Sequence, residues 1–113
     1  MAITVGTPIA RPDGKRQASF SQSAAAADEV LVADPVSGRV VLHACVLTMA
    51  STGTVLLEYN TTTALTGAMD VTAAVVTSLV PPGTKLYCPP SESLTITTVT
   101  GAARGYIVYD IEN

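Results

Sequence analysis

The chain is short of charge. Charged residues make up 13% of its 113 residues, which is about half the usual share in globular domains. Between residues 40 and 84 there is no Lys or Arg, and the only acidic residues there are Glu58 and Asp70. Because a soluble protein carries charge on the surface that faces water, we expect much of this segment to be covered. The cover would be either a second sheet of the same chain or other copies of it.

The chain also lacks the motifs of several functional classes. Its two cysteines, Cys45 and Cys88, lie in neither a CxxC motif nor a Cys/His cluster, and its glycines form no GxGxxG or Walker loop. We therefore expect no cofactor, no metal ion and no small-molecule substrate. Both cysteines are expected as buried thiols, and a disulfide between them is the alternative.

Two kinds of partner are not expected. A net charge of −3 and a pI of about 4.8 argue against nucleic acid, because bulk attraction to phosphates requires a basic stripe. No apolar run approaches the length that spans a membrane. The N-terminus has neither the basic region nor the apolar region of a secretory signal, so we expect no such signal.

What the chain does contain is a succession of short strand patterns separated by turns. Turn signals recur every eight to twelve residues or so, which is typical of a sandwich or a barrel. The sequence predicts an all-β protein with a single β-sandwich or jelly-roll-like domain of about eight antiparallel strands and an N-terminal arm. The arm or hairpin is expected over residues 1–23 and the sandwich domain over residues 24–113. The longest predicted strand, Arg39–Met49, is apolar on both faces, as in a strand covered on both sides.

The order of motifs in the C-terminal two-thirds resembles that of a known family. The motifs are RVVL at residues 39–42, GTV at 53–55, TALTG at 63–67, PPG at 81–83, ESLTI at 92–96 and GYIVY at 105–109. This stretch, roughly from Val40 to Glu112, resembles the small all-β capsid decoration (cement) proteins of tailed bacteriophages. The resemblance implies a virion protein on the outer capsid surface, often a homotrimer, whose partner is the major capsid protein. It implies no catalytic residues, and it suggests that an N-terminal arm reaches onto the shell.

Arg11, Lys15 and Arg16 are the candidate partner-contact residues. They place half of the six cationic residues of the chain beside one Pro-Asp-Gly turn. Basic side chains on an arm are suited to pair with acidic patches of a partner shell. A solvated hairpin tip is the alternative.

A few other residues are of types that occur in catalytic or metal sites, although we do not expect an enzyme. His43 and Cys45 are two residues apart on one predicted strand, so a Cys/His dyad is geometrically possible, although a core or interface histidine is the simpler interpretation. Asp13, Asp28, Glu29 and Asp34 are expected as solvated residues in or beside turns rather than Ca²⁺ ligands.

The alternative function is a carbohydrate- or receptor-binding module on a phage surface. Such sites usually present exposed aromatic side chains, and the chain has no Trp, one Phe and four Tyr. The tyrosines fall mostly at strand positions that we expect to be buried, which counts against this alternative. The tyrosines are Tyr59, Tyr87, Tyr106 and Tyr109.

Overall fold

The structure, a computed structural model, describes residues 3–60 and 63–113. These residues form an all-β fold with two antiparallel sheets and no helix. The strands are β1 (Ile3–Val5), β2 (Ile9–Ala10), β3 (Arg16–Gln22), β4 (Ala26–Val32), β5 (Arg39–Met49), β6 (Gly53–Tyr59), β7 (Thr63–Ala64), β8 (Met69–Val71), β9 (Thr77–Ser78), β10 (Leu86–Tyr87), β11 (Leu94–Val99) and β12 (Ala103–Glu112). With no helix among them, the described residues hold none that could cross a membrane.

The two sheets share one hydrophobic core. The large sheet has the order β1-β3-β12-β5-β10, with β2 beside β3 and β9 beside β5, and the small sheet has the order β4-β11-β6-β7, with β8 beside β6. Leu42 and Ile107 of the large sheet meet Leu57 and Ile96 of the small sheet in the core, and all four are fully buried. The neutral strands are thus covered on one side by the second sheet, as the low charge predicts.

The first strands are part of the large sheet. β3 pairs with β12 along its whole length, and its Ala18 and Phe20 are buried in the core together with Ile3 of β1. The expected boundary near residue 23 falls where the chain passes from β3 in the large sheet to β4 in the small one. Met1 and Ala2 lie outside the described residues. An arm that reaches onto a partner stays a prediction.

β5 contains a β-bulge that its residue pattern does not predict. It pairs with β12 through Val108↔Ala44 and Tyr109↔Leu42, so His43 is an extra residue opposite the junction of Val108 and Tyr109. Such a β-bulge reverses the inward and outward alternation of a strand. Accordingly Val40 and Leu42 face the core before the bulge, and Cys45, Leu47 and Met49 face it afterwards.

The ends of both sheets are made of short or irregular strands. β1, β2, β7, β8, β9 and β10 have two or three residues each. The seven-residue β4 is longer, but its pairing with β11 has two register shifts, and Asp28 within it has a φ of 56°. Strands of two residues carry no readable periodicity, which explains why the described chain has twelve strands where about eight were expected.

Candidate functional site

The basic turn joins β2 to β3 and is closed by its own acidic residue. Asp13 accepts the Lys15 backbone N–H at 3.1 Å, and its Oδ2 lies 3.4 Å from Arg11 Nε and 3.9 Å from Lys15 Nζ. The Lys15 N–H, followed by the charges of Arg11 and Lys15, lowers the pKa of Asp13. Two of the three predicted contact residues therefore share one carboxylate.

Arg16 does not join the other two cations. It lies on β3 opposite Tyr109 of β12. Arg16 is two residues before the core-facing Ala18, so both are on the same face of β3. Arg11 instead donates to Gln17 Oε1 at 3.0 Å, and Gln17 is on the other face of β3. Arg11, Lys15 and Arg16 are close in sequence, but strand alternation places Arg16 on a different face. The structure brings together Arg11 and Lys15 and leaves Arg16 apart.

Charge is segregated between the two sheets. All six Lys and Arg residues of the chain lie on large-sheet strands or the turns that adjoin them: Arg11, Lys15, Arg16, Arg39, Lys85 and Arg104. The small-sheet strands of the described chain carry no Lys or Arg, and their acidic residues are Asp28, Glu29, Glu58 and Asp70. The net charge of −3, from which we argued against nucleic acid, thus averages over two unlike sheets.

The outer face of the large sheet is the side turned away from the core. Apolar and neutral polar side chains dominate its centre, and Tyr106 and Tyr87 there are 38% and 43% exposed, so the expectation that these two tyrosines are buried was wrong. Tyr109 is buried as expected. Arg39 Cζ lies 4.6 Å from the centre of the Tyr87 ring, and Arg39 also donates to Glu112 at 2.8 Å. The outer face comprises Gln17, Ser19, Val41, His43, Val46, Tyr87, Arg104, Tyr106, Val108 and Asp110.

His43 lies on this outer face because of the bulge. Its Nε2 is buried without a hydrogen-bond partner. Burial, followed by the charges of Lys15 and Lys85, lowers the pKa of His43, while Asp110 and Asp13 oppose the shift. Because its pKa lies below the ordinary value of 6.5, the imidazole is mainly neutral at pH 7.

The structure does not form the Cys/His dyad that the sequence left geometrically possible. Cys45 faces the core, and His43 does not, because His43 is itself the extra residue of the bulge that reverses the alternation. Burial raises the pKa of Cys45 to about 12 and that of Cys88 to about 11. Both are free, buried thiols, as expected from the sequence. Neither is a nucleophile near neutral pH, because the thiolate is the reactive form.

Of the acidic residues expected in or beside turns, Asp13 lies in a turn and Asp34 in a loop, but Asp28 and Glu29 lie on a strand. Asp28 is on β4 rather than in a turn, and it is half-buried. Glu58 is buried on β6, and its burial, together with the nearby Asp28, raises its pKa. Asp70 lies opposite Thr54 in register, so it does not pair with Glu58. In the described parts of the chain, no three His, Cys, Asp or Glu residues form a group that could hold a metal ion.

Two shallow cavities meet at Arg104. One, of about 290 Å³, is lined by Thr48, Met49, Ala50, Ala74, Ala102 and Arg104. The other, of about 510 Å³, is lined by Ser21, Gln22, Ser23, Ala102 and Arg104. The lining residues of these two cavities include Thr48, Ser21 and Ser23 but no His, Asp or Glu that could act as a base beside them.

Sequence reasoning missed three further cations of the large sheet and its adjoining turns as members of a candidate contact surface: Arg39, Lys85 and Arg104. They are isolated in the sequence and are placed on one sheet only by its strand order, with Arg104 and Arg39 at opposite ends of the β5–β12 pair. The two-residue period of β12 places Arg104 and Tyr106 on the same face of the strand. Which face is exposed depends on the register with β5, which the sequence does not give. No family model, curated protein or solved structure matches this chain.

Proposed function

We propose that this protein is a structural virion protein that binds the outside of a bacteriophage capsid and stabilises it by clamping neighbouring shell subunits. The observation that supports this proposal best is the segregation of charge, with every Lys and Arg on a large-sheet strand or in a turn that adjoins one. An outer face with exposed tyrosines and scattered cations is suited to an acidic protein surface. The capsid as partner follows from the resemblance of residues 40–112 to decoration proteins.

The proposed mechanism requires no chemistry. A protein that binds the assembled shell and not its dissociated subunits stabilises the shell by mass action. Opposite charge on the two sheets orients the protein as it approaches, because complementary potentials steer association. We propose the major capsid protein as the partner, the outer capsid surface as the location and a non-enzymatic function.

The finer architecture belongs to the same proposal. We propose that the two sheets form a β-sandwich of the jelly-roll kind and that three copies associate as a homotrimer. Two antiparallel sheets around one core support the first part. A closed ring of three copies would match a local three-fold position on a shell. The solution mass of the purified protein tests the trimer directly.

The test of the proposed function is co-sedimentation with purified empty shells of the phage that carries the gene. The variant replaces Lys15, Lys85 and Arg104 with Ser, which removes three cations on the side of the outer face. The matched control is Arg16→Ser, which removes a cation from the opposite side of β3. We expect the triple variant to lose shell occupancy and salt sensitivity, and the control to bind as wild type does.

Two outcomes would contradict the proposal. One is equal occupancy of the triple variant and wild type. The other is absence of binding to shells combined with tight, salt-sensitive binding to duplex DNA, which would assign the basic sheet to phosphates instead. The circular dichroism of each variant confirms that the fold is retained.

A carbohydrate- or receptor-binding module is the second candidate. The exposure of Tyr87 and Tyr106 favours it, because sugars stack on exposed rings. Against it, the Arg39 guanidinium already lies over the Tyr87 ring at 4.6 Å. Saturable binding on a glycan array that is lost in Tyr106→Ser would favour this candidate over the capsid proposal.

A further inference from the structure

Two carboxyl groups are held together on the small sheet. Asp28 of β4 and Glu58 of β6 lie on either side of β11, the strand between them. The Thr97 hydroxyl of β11 contacts both: it hydrogen-bonds to Glu58 Oε1 and lies 3.5 Å from Asp28 Oδ1. The Asp28 backbone N–H donates to the same hydroxyl at 3.0 Å. Residues of three adjacent strands, β4, β11 and β6, thus meet at the Thr97 hydroxyl.

No basic side chain of the described chain compensates this pair. The ion pairs between described side chains join Asp13 and Glu112 to Arg or Lys on the large sheet and its turns, and none of them involves Asp28 or Glu58. Glu58 is only 5% exposed, so water screens its charge poorly. Two carboxylates so close together repel each other unless a positive charge lies between them.

Thr95 provides an independent observation at the same place. It is 0% exposed, and its Oγ1 has no hydrogen-bond partner. Thr95 lies directly opposite Glu58 in register, with the Cβ atoms of such pairs about 4.5–5.5 Å apart. It is also two residues from Thr97 on the same strand, so both hydroxyls are on one face. A buried hydroxyl without a partner costs free energy that a ligand would recover.

We propose that Asp28, Glu58, Thr95 and Thr97 form a binding site for one divalent cation of the Ca²⁺ class. Ca²⁺ takes six to eight oxygen ligands in flexible geometry, and carboxylates bind it through one or both oxygens. The two carboxylates and two hydroxyls supply part of this set, and water supplies the remainder. With only two charged ligands, the affinity belongs to the weak range of about 10⁻⁴–10⁻³ M. The ion joins edge strand β4 to β6 across β11, and this role does not depend on the proposed capsid binding.

The test is a calcium titration of chelator-treated protein, followed by calorimetry and by thermal unfolding. We expect one Ca²⁺ to bind per chain and the Tm to rise by about 7 °C at ten times the Kd. Glu58→Gln should abolish both effects. Asp70→Asn, which removes an exposed carboxylate of the same sheet, is the matched control and should leave both effects unchanged.

Thr95→Val separates a ligand from a merely structural residue. If Thr95 is a ligand, this nearly isosteric variant weakens Ca²⁺ binding roughly tenfold. Without calcium it should be at least as stable as wild type, because an unpartnered buried hydroxyl is removed.

Four results would overturn the assignment: no heat and no Tm change at 10 mM CaCl₂, equal responses of wild type and Glu58→Gln, a response to MgCl₂ alone, or unchanged affinity in Thr95→Val. The concentration of 10 mM is about ten times the weak end of the expected range.

Discussion

Replacement of Gly105 by Ala tests the closest approach of the two longest strands. Gly105 lies on β12 opposite Leu47 of β5 and Phe20 of β3, so strands flank it on both sides. A Cβ at this position would lie 2.7 Å from Leu47 Cα and 2.9 Å from Val46 C, and it would clash with the Val46 carbonyl oxygen. These are backbone atoms, so no rotamer change relieves the overlap.

The magnitude follows from the overlap. Insertion of one carbon into a packed interior costs about 1–3 kcal/mol, and separation of β12 from β5 adds the loss of ladder hydrogen bonds. For a chain of this size a loss of 1 kcal/mol lowers the Tm by roughly 5 °C. We therefore expect Gly105→Ala to lower the Tm by about 5–15 °C in a calorimetric or circular dichroism melt.

Gly67→Ala is the matched control. No atom outside its immediate neighbours lies within 4 Å of a Cβ built on Gly67, and its backbone is not in the left-handed region. Its unfolding free energy should stay within about 0.5 kcal/mol of wild type. If Gly105→Ala melted within about 2 °C of wild type, less than half the smallest expected change, the pairing of β12 with β5 in this register would be wrong.

Three further predictions concern single side chains. Because the pKa of His43 is lowered in the folded state, the unfolded chain binds more protons below pH 6.5. Wild type should therefore lose more stability than His43→Gln between pH 7.5 and pH 5, as measured by urea unfolding, and parallel losses would contradict this. Cys45 and Cys88 should react with a thiol reagent at pH 8 only after denaturation, and rapid labelling of the native protein would refute their burial. Ile96→Ala, at a fully buried position, should cost about 2–5 kcal/mol in denaturant unfolding, and a loss below about 1 kcal/mol would show that the two sheets do not meet there.

Much of the strand pattern could be predicted because it rests on local signals. Arg39–Met49 is confirmed with the predicted bounds. The strand-like residue patterns at 53–60, 93–100 and 105–112 correspond to β6, β11 and β12, whose bounds lie within two residues of the patterns at each end. Alternating Thr and aliphatic residues between Gly and Pro turns were sufficient, because both the period and the breaks are encoded within a few residues.

The candidate surface could not be predicted, because it depends on pairing between distant strands. The bulge at His43 adds one residue to β5 and reverses its faces, and no residue type in HAC at positions 43–45 signals it. Tyr87 and Tyr106 were expected to be buried for the same reason: each lies in an apolar strand whose outward face was unknown. Asp28 and Glu58 are thirty residues apart in sequence and become neighbours only through β11.

The short terminal strands of both sheets restrict how this protein associates with other chains. Unpaired backbone N–H and C=O groups along a long, regular strand act as a template for another chain, and fibrils grow in this way. Here such a template is interrupted after two or three residues almost everywhere, and β4 is bent by its register shifts. Association through added strands is thus disfavoured, so copies or partners that bind this protein meet side chains rather than backbone. An assembly of that kind dissociates without unfolding its members.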